Sequence, residues 1–337
     1  MILEQNISLK PYHFFSSDEK SNFFTTIHQL DQVENIVNWC KANTLPLLIL
    51  GAGSNLLFTK NYIGLVAKME IMGIKKINES SSTVSLEVGA GENWHHFVSY
   101  CIQKGWGGLE NLCLIPGTVG ASPIQNIGAY GAEVQSCIEQ VKVYDTLTNQ
   151  WTNLFNDDCK FKYRTSIFKQ QPDRFIITHV QFKLHKQPLL KTDHGAIREV
   201  LHVKGIKNPS LENIAAAVTQ IRIDKLPDPK IMANAGSFFK NPIVPKEKYL
   251  LLEQKFPNII AHPISDTSYK ISAAWLIEAC GWKGLRKGNV GCYEKHALVI
   301  VSYGIKTGME VYDFSEAIIS DIQTKFNLIL EREVAIY

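Results

Sequence analysis

Glycine is unevenly distributed along this chain of 337 residues, and the unevenness constrains the backbone more than any other feature. Thirteen of the 22 glycines fall between Gly51 and Gly131, where an even spread would place about five. Glycine permits positive φ angles and lets a backbone pass close to another group. Two interpretations are open: a backbone built around a bound molecule, or a loop-rich stretch of a β domain.

The composition narrows the class of protein. The length allows about two domains, and 45% hydrophobic with 20% charged residues is ordinary for globular proteins, which excludes disordered, collagen-like and coiled-coil chains. The net charge is only +3 and is spread along the chain, so we expect no nucleic-acid partner. The N-terminal residues lack the pattern of a signal peptide, and the longest apolar runs, 45–50 and 297–302, are strand-sized. We therefore expect a cytoplasmic protein without membrane association.

The cysteines predict neither a disulfide framework nor a metal site. Their number is odd, no pair has C-x-x-C spacing, and such usage is typical of a reducing compartment. The seven are Cys40, Cys101, Cys113, Cys137, Cys159, Cys280 and Cys292.

Strand and helix patterns divide the chain near residue 186. Before it, strands are predicted at 46–50, 84–88, 141–144, 150–154 and 175–184, and residues 94–102 form an amphipathic helix. Residues 187–212 are polar and weakly periodic, which predicts a loop. Lys225–Pro229 then breaks the chain and opens a second domain, which ends in an alternating strand at 328–337.

Two glycine-containing loops are candidates for ligand binding. Residues 51–55 (GAGSN) follow a strand and either bind phosphate through backbone N–H groups or form a plain hairpin turn. They match neither the G-x-G-x-x-G fingerprint nor a P-loop. Residues 116–131 (PGTVGASPIQNIGAYG), called here the cofactor segment, carry four glycines and small or amide side chains. Such a rigid irregular loop suits a flat polar heterocycle.

The two loops occur in this order in flavoproteins of the vanillyl-alcohol-oxidase (PCMH-type) FAD-binding fold. The whole chain closely resembles the UDP-N-acetylenolpyruvoylglucosamine reductase family, in the class with an extra substrate loop. The matching blocks are LILGAGSNLLF (48–58), GAGENWHHFV (89–98), GLENLCLIPGTVGASPIQNIGAYG (108–131), FKYRTSIFK (161–169), KLPDP (225–229), NAGSFFKNP (234–242), AAWLIEACGWKG (273–284) and LEREV (330–334).

The resemblance implies an α+β protein with a PCMH-type FAD-binding fold in two subdomains and a C-terminal α/β substrate domain. The FAD-binding domain would cover 16–186, with subdomains at about 1–68 and 69–186. Residues 187–224 would be the substrate loop and a connecting helix. Residues 225–337 would form the substrate domain, whose last strand returns to the N-terminal subdomain.

The resemblance also implies the reaction. The enzyme would be an NADPH-dependent flavoprotein that reduces UDP-N-acetylglucosamine enolpyruvate to UDP-N-acetylmuramate for peptidoglycan, and so would serve cell-wall synthesis, cell shape and division. Hydride would pass from flavin N5 to the enolpyruvyl group. Arg164 would hold the substrate carboxylate, Glu333 would help to stabilise the enol-like intermediate, and Ser237 would donate the proton.

Two further groups of site residues follow from the resemblance. The cofactor-binding residues would be Gly51, Gly53, Ser54, Asn55, Pro116, Gly117, Thr118, Gly120, Ala121, Ser122, Gln125, Asn126 and Gly128. The substrate-binding residues would be His194, Arg222, Lys225, Asn241, Lys283 and His296. For Lys225 and Lys283, the alternative that each is an ordinary solvated surface charge is equally open.

The sequence departs from the family pattern at four places. His13-Phe14-Phe15 replaces an Asn-Thr-Phe common near the start, and His194 stands where a tyrosine usually precedes a glycine. His296 replaces a side-chain amide, and Arg332 replaces a frequent proline. We expect His194 to lie near the diphosphate, with a charge that varies with pH.

Two other functions remain as alternatives. One is a non-catalytic flavin-binding module, which would keep the two loops and lose Arg164, Ser237 and Glu333. The other is an FAD oxidase of the same fold, which would usually tether its flavin covalently. We expect a small-molecule sugar-nucleotide substrate, no metal and no obligate protein partner.

Overall fold

The structure is a computed structural model that describes residues 2–337. The helices in this range are α1 Leu30–Ala42, α2 Trp94–Gln103, α3 Ile167–Gln170, α4 Gly195–Val203, α5 Leu211–Lys225, α6 Lys246–Lys255, α7 Ala273–Ala279 and α8 Met309–Phe326. The strands are β1 Glu4–Ser8, β2 Lys20–Ile27, β3 Leu47–Leu50, β4 Leu56–Leu57, β5 Tyr62–Met69, β6 Ile74–Glu79, β7 Thr83–Gly89, β8 Gly128–Ala129, β9 Ala132–Glu133, β10 Ile138–Asp145, β11 Gln150–Phe155, β12 Phe175–His185, β13 Asn234–Ser237, β14 Ile243–Pro245, β15 Ala261–Ser265, β16 Ser268–Ile271, β17 Arg286–Lys287, β18 Val290–Cys292, β19 Val299–Ser302 and β20 Ala335–Ile336.

The chain forms two compact units. Within the described range, the first contains residues 2–7, 21–52 and 63–224, and the second contains 8–20, 53–62 and 225–337. The long C-terminal part of the second unit begins at Lys225. Residues 8–20 and 53–62 cluster with this second unit, whereas the sequence analysis placed them with the N-terminal part. The division is therefore discontinuous in sequence.

The first unit is built on two sheets. A four-stranded sheet has the order β1-β2-β5-β3, with β3 parallel to β5, and a five-stranded antiparallel sheet has the order β11-β10-β12-β7-β6. Helix α2 buries Trp94, Phe97, Val98, Cys101 and Ile102 on one face, as its periodicity predicts. This helix therefore has a fixed position in the core of the first unit.

Residues 187–212 are not entirely a loop, contrary to the prediction. They contain helix α4, and His194 is its N-cap residue. Ile197 and Leu201, one helical turn apart, are buried in the first core. Two buried apolar residues one turn apart are enough to hold a short helix against the core. The helical spacing was not recognised, because most of the surrounding residues are polar.

The second unit contains a four-stranded sheet of order β13-β19-β18-β17 and a three-stranded sheet of order β14-β16-β15, both antiparallel. Its core includes Phe15 and Leu57 together with residues from 235 onward. The predicted strand at 328–337 is regular only at Ala335–Ile336, which pairs in parallel with Leu56–Leu57. Residues just before it make isolated backbone bonds instead of a ladder.

All seven cysteines, which lie among residues 2–337, are free thiols. Burial raises the pKa of Cys40 to about 11 and that of Cys292 to about 12. No helix in the described part of the chain combines the length and apolar composition needed to cross a membrane.

Candidate active site

The end of strand β3 meets the cofactor segment inside the first unit. Gly51 follows Leu50 directly, and a Cβ atom added to Gly51 would lie 2.7 Å from Oγ1 of Thr118. Contacts that close do not occur for real Cβ atoms, so glycine is required unless Thr118 moves. Two of the predicted cofactor-binding residues are therefore neighbours.

The cofactor segment lies along the residues that lead into helix α2. The N–H of Val119 donates to the carbonyl of Glu92 at 2.8 Å, and the N–H of Gly120 donates to the carbonyl of Ala90 at 2.9 Å. A Cβ atom on Gly120 would come within 2.5 Å of the Ala90 Cβ. The missing side chain at Gly120 is thus what lets the two backbones approach.

Two of the predicted cofactor residues use their side chains to shape the segment. Ser122 is buried, and its hydroxyl donates to a carbonyl of the preceding turn at 2.7 Å. Asn126 is fully buried with φ 45°, and its amide donates to Glu133 at 3.0 Å and to the Lys162 carbonyl at 3.3 Å. Its Oδ1 accepts the N–H of Gln135 at 3.1 Å. Both side chains form hydrogen bonds within the protein, so they hold the shape of the segment.

The remaining residues of the segment are more accessible. Pro116 is exposed, and Gly117 is buried with φ 141°, a backbone conformation that favours glycine. The predicted residues that are half-buried are Thr118, Ala121, Gln125 and Gly128. This side of the segment presents small side chains, the Thr118 hydroxyl and backbone groups.

Arg164 is anchored to the end of the cofactor segment. Its Nη2 donates to the carbonyl of Gly128 at 2.8 Å, and a Cβ on Gly128 would lie 3.2 Å from its Nη1. Arg164 has a left-handed backbone, with φ 54°. The next turn is tied to the same segment, because Ser166 Oγ donates to the Ile124 carbonyl at 2.6 Å. A strained backbone held by a rigid neighbour is a common feature of functional sites.

Arg222, Tyr130 and His194 form a cluster in the first unit. The rings of Tyr130 and His194 are edge-to-face with centroids 5.1 Å apart, and the Tyr130 phenol interacts electrostatically with the Arg222 guanidinium. The Nε of Arg222 is buried and has no hydrogen-bond partner among residues 2–337. Burial lowers the pKa of the Arg222 guanidinium and raises the pKa of Tyr130. The cluster is a desolvated cation beside two aromatic rings, which suits an anionic ligand.

Asn111 connects this cluster to the residues before helix α4. Its Nδ2 donates to the carbonyl of Tyr130 at 3.0 Å and to that of Lys191 at 2.9 Å. The sequence analysis assigned a role to neither Asn111 nor Tyr130. A tyrosine between Ala129 and Gly131 was a usable signal, because a large aromatic residue is unusual among such small neighbours.

Ser237 and Glu333 lie on neighbouring stretches of the second unit. Strand β13 ends at Ser237, and the N–H of Glu333 donates to the carbonyl of the next residue, Phe238, at 2.8 Å. We call residues 234–240 and 330–333, which contain the predicted catalytic residues Ser237 and Glu333, the catalytic strand pair. Asn55 adjoins it, because its Nδ2 donates to the Glu333 carbonyl at 3.3 Å. Glu333 is buried and Ser237 is half-buried.

The predicted loop at Gly53 is also fixed by backbone contacts. A Cβ on Gly53, which has φ 65°, would lie 2.0 Å from the Tyr12 carbonyl oxygen. Neighbouring His13 is buried, its Nε2 lies 3.1 Å from the Ser17 carbonyl, and its ring is edge-on to Phe58 at 5.3 Å. Burial lowers the pKa of His13. Gly53, Ser54 and Asn55 belong to the second unit, whereas Gly51 and Arg164 belong to the first.

The other predicted substrate residues have separate surroundings. Lys225 is exposed at the end of α5, and Lys283 pairs with Glu278 at 3.0 Å on the surface. Asn241 Oδ1 accepts the N–H of Ala273 at 2.9 Å and so supports the start of α7. His296 is half-buried in a tight turn, where its carbonyl accepts the N–H of Val299 at 3.0 Å.

Two family models match the chain. Residues 22–149 match an FAD binding domain, and residues 228–337 match the C-terminal domain of UDP-N-acetylenolpyruvoylglucosamine reductase. The cofactor segment lies in the first match and the catalytic strand pair in the second.

Curated relatives align with the chain from end to end. A UDP-N-acetylenolpyruvoylglucosamine reductase of Amoebophilus asiaticus is 43% identical over 100% of this chain and 99% of its own length. The reductase of Pseudomonas fluorescens strain Pf0-1 is 40% identical over 98% of each. The crystal structure of the reductase from Thermus caldophilus superposes with a TM-score of 0.69 at 23% identity and covers 100% of this chain and 99% of that one. The last comparison concerns the fold alone.

Proposed function

The chain belongs to the UDP-N-acetylenolpyruvoylglucosamine reductase family, and on this premise we propose which of its residues perform the family's reaction. It is an FAD-dependent oxidoreductase that reduces the enolpyruvyl group of UDP-N-acetylglucosamine enolpyruvate in peptidoglycan synthesis. The predicted α+β fold class with its FAD-binding domain is confirmed, as is FAD as the cofactor. This membership favours the reductase over a non-catalytic flavin-binding module or an oxidase.

The residues around the cofactor segment fit FAD. The segment's accessible side offers the Thr118 hydroxyl and backbone groups, and these donors and acceptors suit the edge of a flavin ring or a phosphate. The close approach of Gly51 to Thr118 leaves no room for a side chain there. We assign FAD to Gly51 and the cofactor segment in the first unit. Gly53, Ser54 and Asn55 are kept as proposed cofactor residues of the second unit.

Arg164 is proposed to bind the carboxylate of the enolpyruvyl group. When bound, FAD supplies hydride to that group, with NADPH as the proposed source. Negative charge then develops on the carbon beside the carboxylate and spreads into it. A guanidinium binds such a carboxylate with two parallel N–H bonds. The Nη2 bond to the Gly128 carbonyl fixes the orientation of the Arg164 guanidinium beside the cofactor segment.

Ser237 and Glu333 are proposed to complete the reaction. The observation that carries this proposal is the backbone bond between Glu333 and Phe238, because it holds a carboxyl group beside the strand that ends in Ser237. Glu333 would help to stabilise the enol-like intermediate, and the Ser237 hydroxyl would protonate it. A serine is a weak acid, but the carbanion-like acceptor is strongly basic.

The cluster of Arg222, Tyr130 and His194 is proposed to bind the diphosphate of the sugar nucleotide. An arginine Nε that is buried without a protein partner is costly unless a ligand satisfies it. Lys225, Asn241, Lys283 and His296 are proposed as further substrate residues. The seven free thiols suit a reducing compartment, and we place the enzyme in the cytoplasm without an obligate protein partner.

The sharpest experiment replaces Ser237 by Ala and measures each half-reaction by anaerobic stopped-flow absorbance. We expect FAD binding and reduction by NADPH to stay near wild type, and re-oxidation by the enolpyruvyl substrate to slow by about 10²–10⁴-fold. Ser265→Ala, at an exposed serine of the same unit, is the matched control and should change neither step. Slower flavin reduction, or two unchanged steps, would make Ser237 a structural residue.

A further inference from the structure

The backbone that leads into the cofactor segment is held in an unfavourable conformation. Leu114 has φ 58°, a left-handed backbone conformation that is unfavourable for leucine. Two residues later Pro116 begins the cofactor segment. Some interaction must therefore hold Leu114 in place.

That interaction is a hydrogen bond to a histidine. The N–H of Leu114 donates to Nδ1 of His95 on helix α2 at 3.1 Å. An imidazole nitrogen accepts a hydrogen bond only through its lone pair, so Nδ1 is unprotonated and Nε2 carries the proton. The bond requires the neutral imidazole, because the imidazolium has donors at both nitrogens.

Helix α2 holds the same stretch at two further points, neither of which titrates. The indole N–H of Trp94 donates to the Leu112 carbonyl at 2.9 Å, and the backbone N–H of Trp94 donates to the Gly117 carbonyl at 3.1 Å. Trp94 is buried in the core, so this end of the helix is rigid. The Leu114 bond lies between these two points in sequence, and among the three only His95 responds to pH.

The groups around His95 favour its neutral form. His96 follows it on the same helix, and the positive charge of Arg222 on α5 acts on it electrostatically. Arg222 in turn interacts electrostatically with Cys113 and Tyr130. Burial first, then His96 and Arg222, lower the pKa of His95. Protonation of His95 would therefore occur only below the ordinary histidine value of about 6.5.

We propose that neutral His95 is a positioning residue for FAD: it accepts the Leu114 N–H and so fixes the start of the cofactor segment. The inference rests on the proposed assignment of FAD to that segment. When His95 is protonated, the Leu114 bond is lost, the start of the segment is released, and FAD binds less tightly.

The test compares variants that keep or lose an acceptor at Nδ1. The side-chain oxygen of His95→Asn can take the position of Nδ1, whereas that of His95→Gln reaches the position of Nε2. His96→Asn is the matched control, because His96 is exposed and adjacent. FAD dissociation constants of the apoproteins are measured by flavin fluorescence at pH 7.5 and 5.5.

We expect His95→Gln to raise the Kd for FAD about tenfold at pH 7.5, while His95→Asn and His96→Asn stay within about threefold of wild type. Lowering the pH should weaken FAD binding more in the wild type than in His95→Asn. Nitrogen-15 NMR of the apoprotein should show the Nε2–H tautomer at His95. An Nδ1–H tautomer, or equal Kd values for Gln and Asn variants that both fold, would overturn the proposal.

Thr118→Val tests the assignment of FAD to the cofactor segment independently of the role of His95. We expect Thr118→Val to weaken FAD binding, because Thr118 lies on the accessible side of the segment. If Thr118→Val weakens binding and His95→Gln does not, the role of His95 is rejected and the assignment of FAD stands. If both leave the Kd unchanged, both fail.

Discussion

The cofactor segment of the first unit follows an irregular path, and its shape depends on individual bonds from Ser122, Asn126 and the glycines. In the second unit, Ser237 and Glu333 are placed by backbone bonds between two extended stretches. A side-chain bond is lost with one substitution, but a backbone bond survives most of them. Substitutions in the cofactor segment should therefore change stability and ligand binding together, whereas in the catalytic strand pair chemistry should change alone.

Replacing Glu333 by Gln has the largest expected effect among the tests of this contrast. Its backbone bond to Phe238 remains, so the free energy of unfolding should change by no more than about 1 kcal/mol. Re-oxidation of the reduced enzyme by the enolpyruvyl substrate should slow by about 10²–10³-fold. Stopped-flow absorbance and urea unfolding measure the two quantities. Glu247→Gln, at an exposed glutamate of the same unit, is the control, and a large stability loss in Glu333→Gln alone would contradict the contrast.

Replacing Asn126 by Ala tests the other side. The substitution leaves the Gln135 N–H without its partner, removes one of the two donors to the Lys162 carbonyl and puts alanine at φ 45°. We therefore expect a loss of about 2–4 kcal/mol in unfolding free energy. FAD should bind more weakly as well. Asn327→Ala has a similar φ of 53° on an exposed residue and should cost only about 1 kcal/mol. Equal losses in both variants would mean that the Asn126 bonds contribute little.

Replacing His194 by Ala examines the end of the cofactor segment, where His194 contacts Tyr130. If the cluster binds the diphosphate, the KM for the sugar nucleotide should rise about tenfold, while that for NADPH changes much less. Steady-state kinetics with each substrate varied in turn gives both values. His202→Ala, at an exposed histidine of the same helix, should change neither value. Equal effects on both substrates in His194→Ala would reject the role.

Titration of His13 in the second unit gives the smallest expected effect, which is a dependence of stability on pH. Its pKa is lowered by burial, so between about pH 6.5 and that lower pKa the unfolded chain binds a proton that the folded chain does not. Stability is therefore complete above about pH 6.5 and falls as the pH drops, by at most about 1.4 kcal/mol per pH unit for this group. Urea unfolding between pH 5 and 7.5 measures the slope.

Two variants separate the titration of His13 from its packing. His13→Gln keeps a donor for the Ser17 carbonyl, and His13→Phe does not. Both remove the titrating group, so both should flatten the pH dependence of stability. His13→Phe should be less stable than His13→Gln at every pH, because it lacks the donor. A slope unchanged in both variants would assign the pH dependence to other groups.

Local sequence patterns predicted the local structure well. The amphipathic helix at 94–102 and the antiparallel strands at 141–144, 150–154 and 175–184 all lie within or nearly match observed elements, because each carries its own hydrophobic period. Helix α4 was missed, since only Ile197 and Leu201 mark its buried face.

Contacts between distant residues were not predictable in the same way. The discontinuous second unit depends on pairing between Leu56–Leu57 and Ala335–Ile336, and no local period encodes that pairing. The roles inferred for His95 and Tyr130 likewise depend on Leu114, Arg222 and His194, which are distant in sequence or hidden in an irregular loop. The motifs identified the segments that matter, and the structure was needed to see which side chains support them.

The discontinuity of the second unit has a consequence for synthesis on the ribosome. Residues 8–20 and 53–62 are made early, but the remainder of their unit begins only at Lys225. The apolar side chains of Phe15 and Leu57 therefore lack most of their native neighbours while residues 63–224 are translated. Contacts so distant in sequence form late and expose apolar surface in the meantime. The first unit can mature during translation, whereas the half of the enzyme that carries Ser237 and Glu333 is completed last.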